Sequence, residues 1–170
     1  SMRNQRCTVH DAMLQAQDVI HASREAGKKV VGTVAMAFGS PYGEEITEQR
    51  VLDLVRGFTE AGATGISLGD TTGQATPLQT ARLSGRLLEE LGSVDLALHL
   101  HDTQGLALAN ILAAMDAGVV NFDSAIGGIG GSPFTLNSAG NVATEDLVNM
   151  CHSMGVETGV DLDAVLDIYG

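Results

Sequence analysis

Gly65-Ile66-Ser67-Leu68-Gly69-Asp70 and Leu96-Ala97-Leu98-His99-Leu100-His101 are the two stretches that decide the fold. Each is a short apolar run that ends in polar side chains. Between them Thr76-Pro77 opens a segment in which Leu83, Leu87 and Leu88 recur at helical spacing. Strand, helix and strand at a repeat of roughly 30 residues make a βα unit.

The same cycle extends in both directions. Upstream, Val30-Val31-Gly32-Thr33-Val34-Ala35-Met36 reads as a buried strand, followed by a turn-rich loop at Gly39-Ser40-Pro41-Tyr42-Gly43. A helix then runs from Thr47 through Val51, Leu52, Val55 and Phe58 to Ala61-Gly62. An earlier helix starts at Thr8, with Asp11 completing a capping box, and stops at Gly27. Downstream, Leu106, Ala109, Ile111, Leu112 and Met115 form a helix ended by Gly118, and Val120 to Ile126 reads as a fourth strand. A glycine-rich loop spans Gly127 to Gly140, and Thr144-Glu145-Asp146 caps a last helix through Leu147, Met150 and Met154. Four strand–helix units predict an α/β fold with a parallel sheet. No linker divides residues 1–170, which read as one domain. An open doubly wound sheet and a (β/α) barrel both fit. A full barrel needs eight units and about 250 residues, so this chain supplies half of one.

Composition narrows the function. The chain has 170 residues, is 44% apolar and contains 21 glycines, well above an average share of about 7%. Its formal charge is −12 and aromatics are only 4%, which excludes a nucleic-acid binder built on phosphate contacts and base stacking. No apolar run reaches the ~18 residues of a membrane span. Two cysteines, Cys7 and Cys151, predict a reduced, cytoplasm-like compartment rather than a disulfide scaffold.

Chemistry concentrates at the strand ends. His99 and His101 are two residues apart in a strand and so share a face. Two neutral imidazoles at a carboxyl-terminal strand end suit a divalent cation; as a plain alternative they are a hydrogen-bonded polar pair. Asp70 can serve as an acid, a base or a support for a metal site, or it can cap the turn after its strand. Asn141 can offer its amide oxygen to a hard cation or cap the last helix. Ser132 lies in the glycine-rich loop, where a nucleophilic role would need a base beside it.

These residues carry a family resemblance. Ile66-Ser67-Leu68-Gly69-Asp70-Thr71 with Gly73 and Thr76-Pro77, and His99-Leu100-His101-Asp102-Thr103 with Gly105 and Ala107-Leu108-Ala109-Asn110, resemble two strand segments of the 3-hydroxy-3-methylglutaryl-CoA lyase family. Gly130-Gly131-Ser132-Pro133-Phe134 and Gly140-Asn141-Val142-Ala143-Thr144-Glu145-Asp146-Leu147-Val148 resemble its signature loop and the helix after it. The resemblance implies a TIM barrel of which this chain covers strands five to eight. It implies Mg²⁺ or Mn²⁺ held by His99, His101 and Asn141, and an acyl-CoA substrate cleaved by retro-Claisen chemistry. It assigns Asp70 to the proton steps. It implies a cytoplasmic location, or the mitochondrial matrix in a eukaryote.

Three departures from the family pattern stand out. The family's first-strand Arg-Asp pair has no counterpart here. Ser132 occupies the position of the catalytic cysteine, and Ser40 replaces a further cysteine. Asn137 replaces an expected glycine. A hydroxyl is a poorer proton carrier than a thiol near neutral pH. The half-barrel alone is therefore expected to be inactive, and to associate as a homo-oligomer or be completed by an N-terminal half-barrel, because its edge strands would otherwise stay open. Two other functions fit the residues: a non-catalytic half-barrel for assembly or binding, and a Claisen-condensing synthase of the same superfamily.

Overall fold

Three of the helices start where a threonine hydroxyl can take up an N–H that the first helical turn leaves unpaired. Thr8, Thr47 and Thr76 each accept from the residue three positions on, and Asp11 and Gln79 reach back to complete capping boxes at the first and third. The computed structural model describes residues 7–131 and 140–169. Its elements are α1 (Val9–Glu25), β1 (Val31–Val34), α2 (Glu48–Glu60), β2 (Gly65–Asp70), α3 (Pro77–Leu91), β3 (Asp95–Leu100), α4 (Ala107–Asp116), β4 (Asn121–Asp123), a short 3₁₀ turn (Ile126–Gly128), α5 (Thr144–Ser153) and α6 (Leu162–Tyr169).

The strands form one parallel sheet in the order β1-β2-β3-β4. Val34 lies opposite Leu68, Asp70 opposite Leu100, Gly69 opposite His99, and His99 opposite Asp123. Alternation along each strand then sorts side chains between two faces. Ile66, Leu68, Leu96, Leu98 and Leu100 share one face, all at 3% exposure or less, and pack beneath Leu83, Leu87, Ile111 and Ala114 of the helices. Gly65, Ser67, Gly69, Ala97 and His99 share the other. Across the helix layer, Glu48 of α2 pairs with both Arg82 and Arg86 of α3, and Arg56 pairs with Glu90.

The loops after β2 and β3 repeat one design, Asp70-Thr71-Thr72-Gly73 and Asp102-Thr103-Gln104-Gly105. In each, the glycine N–H donates to the aspartate carbonyl, at 3.0 Å. The Asp70 carboxylate accepts the N–H groups of Gln74 and Ala75, and that of Asp102 accepts the N–H of Ala107 at the start of α4. Asn110 of α4, fully buried, donates its amide to the Ala75 carbonyl at 3.0 Å and so ties the first loop to the following unit.

The structure departs from the sequence reading in several places, and β3 ends at Leu100, one residue before His101. β1 ends at Val34 rather than Met36, because Met36 turns to φ 54° and its N–H goes to the Thr71 hydroxyl. β4 spans only Asn121–Asp123, since Ala125 leaves the sheet to pair with the Val142–Thr144 segment. Thr144 does not cap α5: Ala143 is the cap residue, with no side-chain bond, and Thr144 meets the Ser124 hydroxyl instead. No expectation covers helix α6; it is short, and of its described side chains only that of Val165 is buried.

Candidate metal centre at the strand ends

His99 is the penultimate residue of β3 and His101 lies just beyond its end. Their rings meet edge-to-face with centroids 5.3 Å apart. His101 is buried at 5% exposure, while the His99 side chain is 37% exposed. His99 Nδ1 lies 3.4 Å from Asp123 Oδ2, directly across on β4. A carboxylate on the Nδ1 side of the ring leaves Nε2 for another partner.

Asn141 reaches the histidines through backbone pairing. His101 and Asn141 form an antiparallel bridge, flanked by Asp102 N–H to the Gly140 carbonyl and Val142 N–H to the Leu100 carbonyl, both at 3.1 Å. Directly opposed residues of an antiparallel pair put their side chains on the same face. His99, His101 and Asn141 therefore share a side. The amide of Asn141 donates from Nδ2 to the Ile129 carbonyl at 3.0 Å, which fixes which way it points. Its Oδ1 is buried with no hydrogen-bond partner among the described residues. A buried amide oxygen without a donor costs about 1–3 kcal/mol, and a cation would satisfy it. Glycine is required around this amide: a Cβ on Gly130 would lie 2.5 Å from Asn141 Nδ2.

Asp70 sits on the other pleat. Its register partner is Leu100, not His99, and it is fully buried. Its two oxygens accept the N–H groups of Gln74 and Ala75, each at 3.0 Å. Burial pushes its carboxyl above the ordinary value; the Ala75 and Gln74 N–H groups and the nearby charge of His101 oppose that shift. Turn capping is thus present in the fold, alongside an electrostatic link to His101. Ser132 lies outside the described residues. Among the described residues, no three His, Cys, Asp or Glu side chains gather as a complete cation site. The donor groups on that shared side are two imidazoles and one amide oxygen. They suit a divalent cation chemically and leave its shell open.

The profile of the HMGL-like family matches residues 2–169. The chain belongs to the HMGL-like family. It is 41% identical to the cytoplasmic 3-hydroxy-3-methylglutaryl-CoA lyase of Mus musculus over 167 residues, covering 98% of this chain and 49% of that relative. It is 39% identical to the hydroxymethylglutaryl-CoA lyase of Pseudomonas mevalonii, covering 99% of this chain and 56% of that relative. Among solved structures, an HMG-CoA lyase from Acinetobacter baumannii in complex with coenzyme A and 3-methylmalate superposes with a TM-score of 0.92 at 39% identity, covering 98% of this chain and 54% of that one. The chain thus spans about half the length of the curated relatives it matches, and its four-stranded sheet is half of an HMGL-like TIM barrel. Two residues beside the candidate centre carry little sequence signal. Asp123 is one polar residue of a strand, and Glu145, whose carboxylate accepts from Gly127 N–H, reads in the sequence as part of a helix cap.

Proposed function

We propose that this chain is the C-terminal half of a divalent-metal-dependent carbon–carbon lyase. Its substrate would be 3-hydroxy-3-methylglutaryl-CoA or a related 3-hydroxyacyl-CoA, split into acetyl-CoA and a keto product. The observation that carries the reading is the shared face of His99, His101 and Asn141, with the buried, unpartnered Asn141 Oδ1 among them. Family membership and the coenzyme A complex of the Acinetobacter baumannii relative support the substrate class.

His99, His101 and Asn141 would hold Mg²⁺ or Mn²⁺, which supplies Lewis acidity toward a substrate hydroxyl oxygen. The hydroxyl loses its proton, its carbon becomes a carbonyl, and the carbon–carbon bond breaks. The electron pair passes to the carbon next to the thioester carbonyl, where the carbonyl can delocalise it, and that carbon takes up a proton. Asp123 holds the His99 ring in place for this work. Asp70 acts at one remove, by fixing the loop after β2 and setting the charge beside His101. Ser132 stands where the resemblance puts the proton-carrying cysteine. The 170-residue chain is inactive by itself in this reading. Its sheet is completed by another half-barrel, either a second copy or the rest of a longer polypeptide, in a cytoplasmic or mitochondrial-matrix setting.

Mn²⁺ titration of the chain tests the metal reading. Wild type binds saturably, and His101→Ala and Asn141→Ala each weaken binding by at least about 10-fold. Wild-type affinity no better than that of a His99→Ala/His101→Ala double variant would sink it. Acetyl-CoA release from 3-hydroxy-3-methylglutaryl-CoA by the completed barrel tests the reaction.

A further inference from the structure

The Asn141 amide is held by the loop end around Ile129, and that loop end is itself gripped from α5. Gly127 N–H donates to the Glu145 carboxylate, 3.1 Å from Oε1 and 3.0 Å from Oε2. Gly128 N–H then closes onto the Ala125 carbonyl at 2.9 Å, and Ile129 N–H onto that of Ile126 at 3.4 Å. The turn so formed presents the Ile129 carbonyl to Asn141 Nδ2. It also packs against Asn141 from a second side: a Cβ on Gly128 would lie 2.9 Å from the Asn141 carbonyl oxygen. Ala125 N–H to the Val142 carbonyl and Thr144 N–H to the Ala125 carbonyl fasten the base of the same structure.

We propose that Glu145 is a positioning residue for the metal centre, acting through Gly127–Ile129 to set the amide of Asn141. The proposal rests on the reading of Asn141 as a ligand. An acidic residue in the first turn of a helix also has a plain role, since its charge favours the positive helix terminus. That role needs the charge but no particular contact. The role proposed here needs an acceptor oxygen at Gly127 N–H but no charge. Glutamine separates the two, because it keeps an acceptor and loses the charge.

The test compares wild type, Glu145→Ala and Glu145→Gln by ¹⁵N NMR and by Mn²⁺ titration. In Glu145→Ala the Gly127 amide exchanges faster, the Asn141 side-chain NH₂ pair shifts, and Mn²⁺ affinity falls about 10-fold. In Glu145→Gln all three return most of the way to wild type. An unmoved Asn141 NH₂ pair in Glu145→Ala, or a Glu145→Gln variant as impaired as Glu145→Ala, overturns the proposal. If wild type binds no Mn²⁺, the metal reading fails on its own, and the Asn141 resonances still decide the role of Glu145.

Discussion

Gly73 and Gly105 occupy equivalent places in the two Asp-Thr-x-Gly loops, yet alanine should behave very differently at each. Both have positive φ, 63° and 70°. Forcing an L-residue there costs about 1–2 kcal/mol, offset by about 0.4–1 kcal/mol because alanine restricts the unfolded chain. At Gly105 nothing lies within 4 Å of the added Cβ, so Gly105→Ala should cost about 1 kcal/mol. At Gly73 the Cβ would sit 2.6 Å from both Cβ and Oγ1 of Thr103 and 2.9 Å from its backbone N. Thr103 belongs to the neighbouring loop, beside the paired His101-Asp102 segment, so its backbone has little room to yield. Overpacking of this kind adds about 1–3 kcal/mol, bringing Gly73→Ala to about 2–4 kcal/mol. In a chain of this size that is a fall in Tm of roughly 5–12 °C. Urea denaturation of both variants at unchanged m-value is the assay. Thr103→Gly removes the obstructing Cβ and Oγ1, so in the Gly73→Ala background it should recover part of the loss. Two alanine variants within about 0.5 kcal/mol of each other would refute the idea that the loops are packed face to face.

Two further outcomes follow from the sheet and its loops. The folded pKa of Asp70 is raised, chiefly by burial; such a carboxyl contributes most below its unfolded pKa, and the contribution fades as pH rises through the folded one. Asp70→Asn should therefore cost more stability at about pH 4 than at about pH 7, on top of about 1–3 kcal/mol for the backbone N–H left facing an NH₂ group. Urea titrations across that range would show it, and a penalty that grows with pH would mean that the N–H bonds and His101 outweigh burial. Val31, on edge strand β1, is 59% exposed, and Val120, just before edge strand β4, is 83% exposed; light scattering of the isolated chain should find a dimer or larger species, and a well-behaved monomer would count against closure by a second copy.

Features governed by neighbours in sequence were legible before the structure. The cap at Thr8 and the helix starts at Thr47 and Thr76 rest on local hydrogen bonds spanning three residues. β2 ends at Asp70, where its apolar run meets a polar residue. The shared side of His99 and His101 follows from strand alternation alone. The residues offered Asn141 as a cation ligand or a helix cap and the resemblance favoured the first, but its place opposite His101 depends on an antiparallel bridge between segments far apart in the chain. Strand periodicity places Asp70 on the pleat opposite His99, but only once the register between β2 and β3 is known. Glu145 looked like a helix-capping acid because the acceptor-seeking N–H of Gly127 is 18 residues away. Helix α6 was legible in principle, since Leu162, Val165, Leu166 and Tyr169 recur at helical spacing.

The bond from Asn110 to Ala75 also bears on how far the βα units are separate modules. The loop after β2 holds its final shape through an amide that arrives 35 positions later, on the helix of the following unit. That loop therefore matures only when α4 docks, whatever the order in which β2 and α3 form. Contacts of such separation slow assembly, since chain closure precedes their reward. A chain cut between Ala75 and Asn110 would keep the residues of the first loop and lose the staple that finishes it. The smallest piece able to carry a settled Asp70 loop is accordingly two consecutive units, not one.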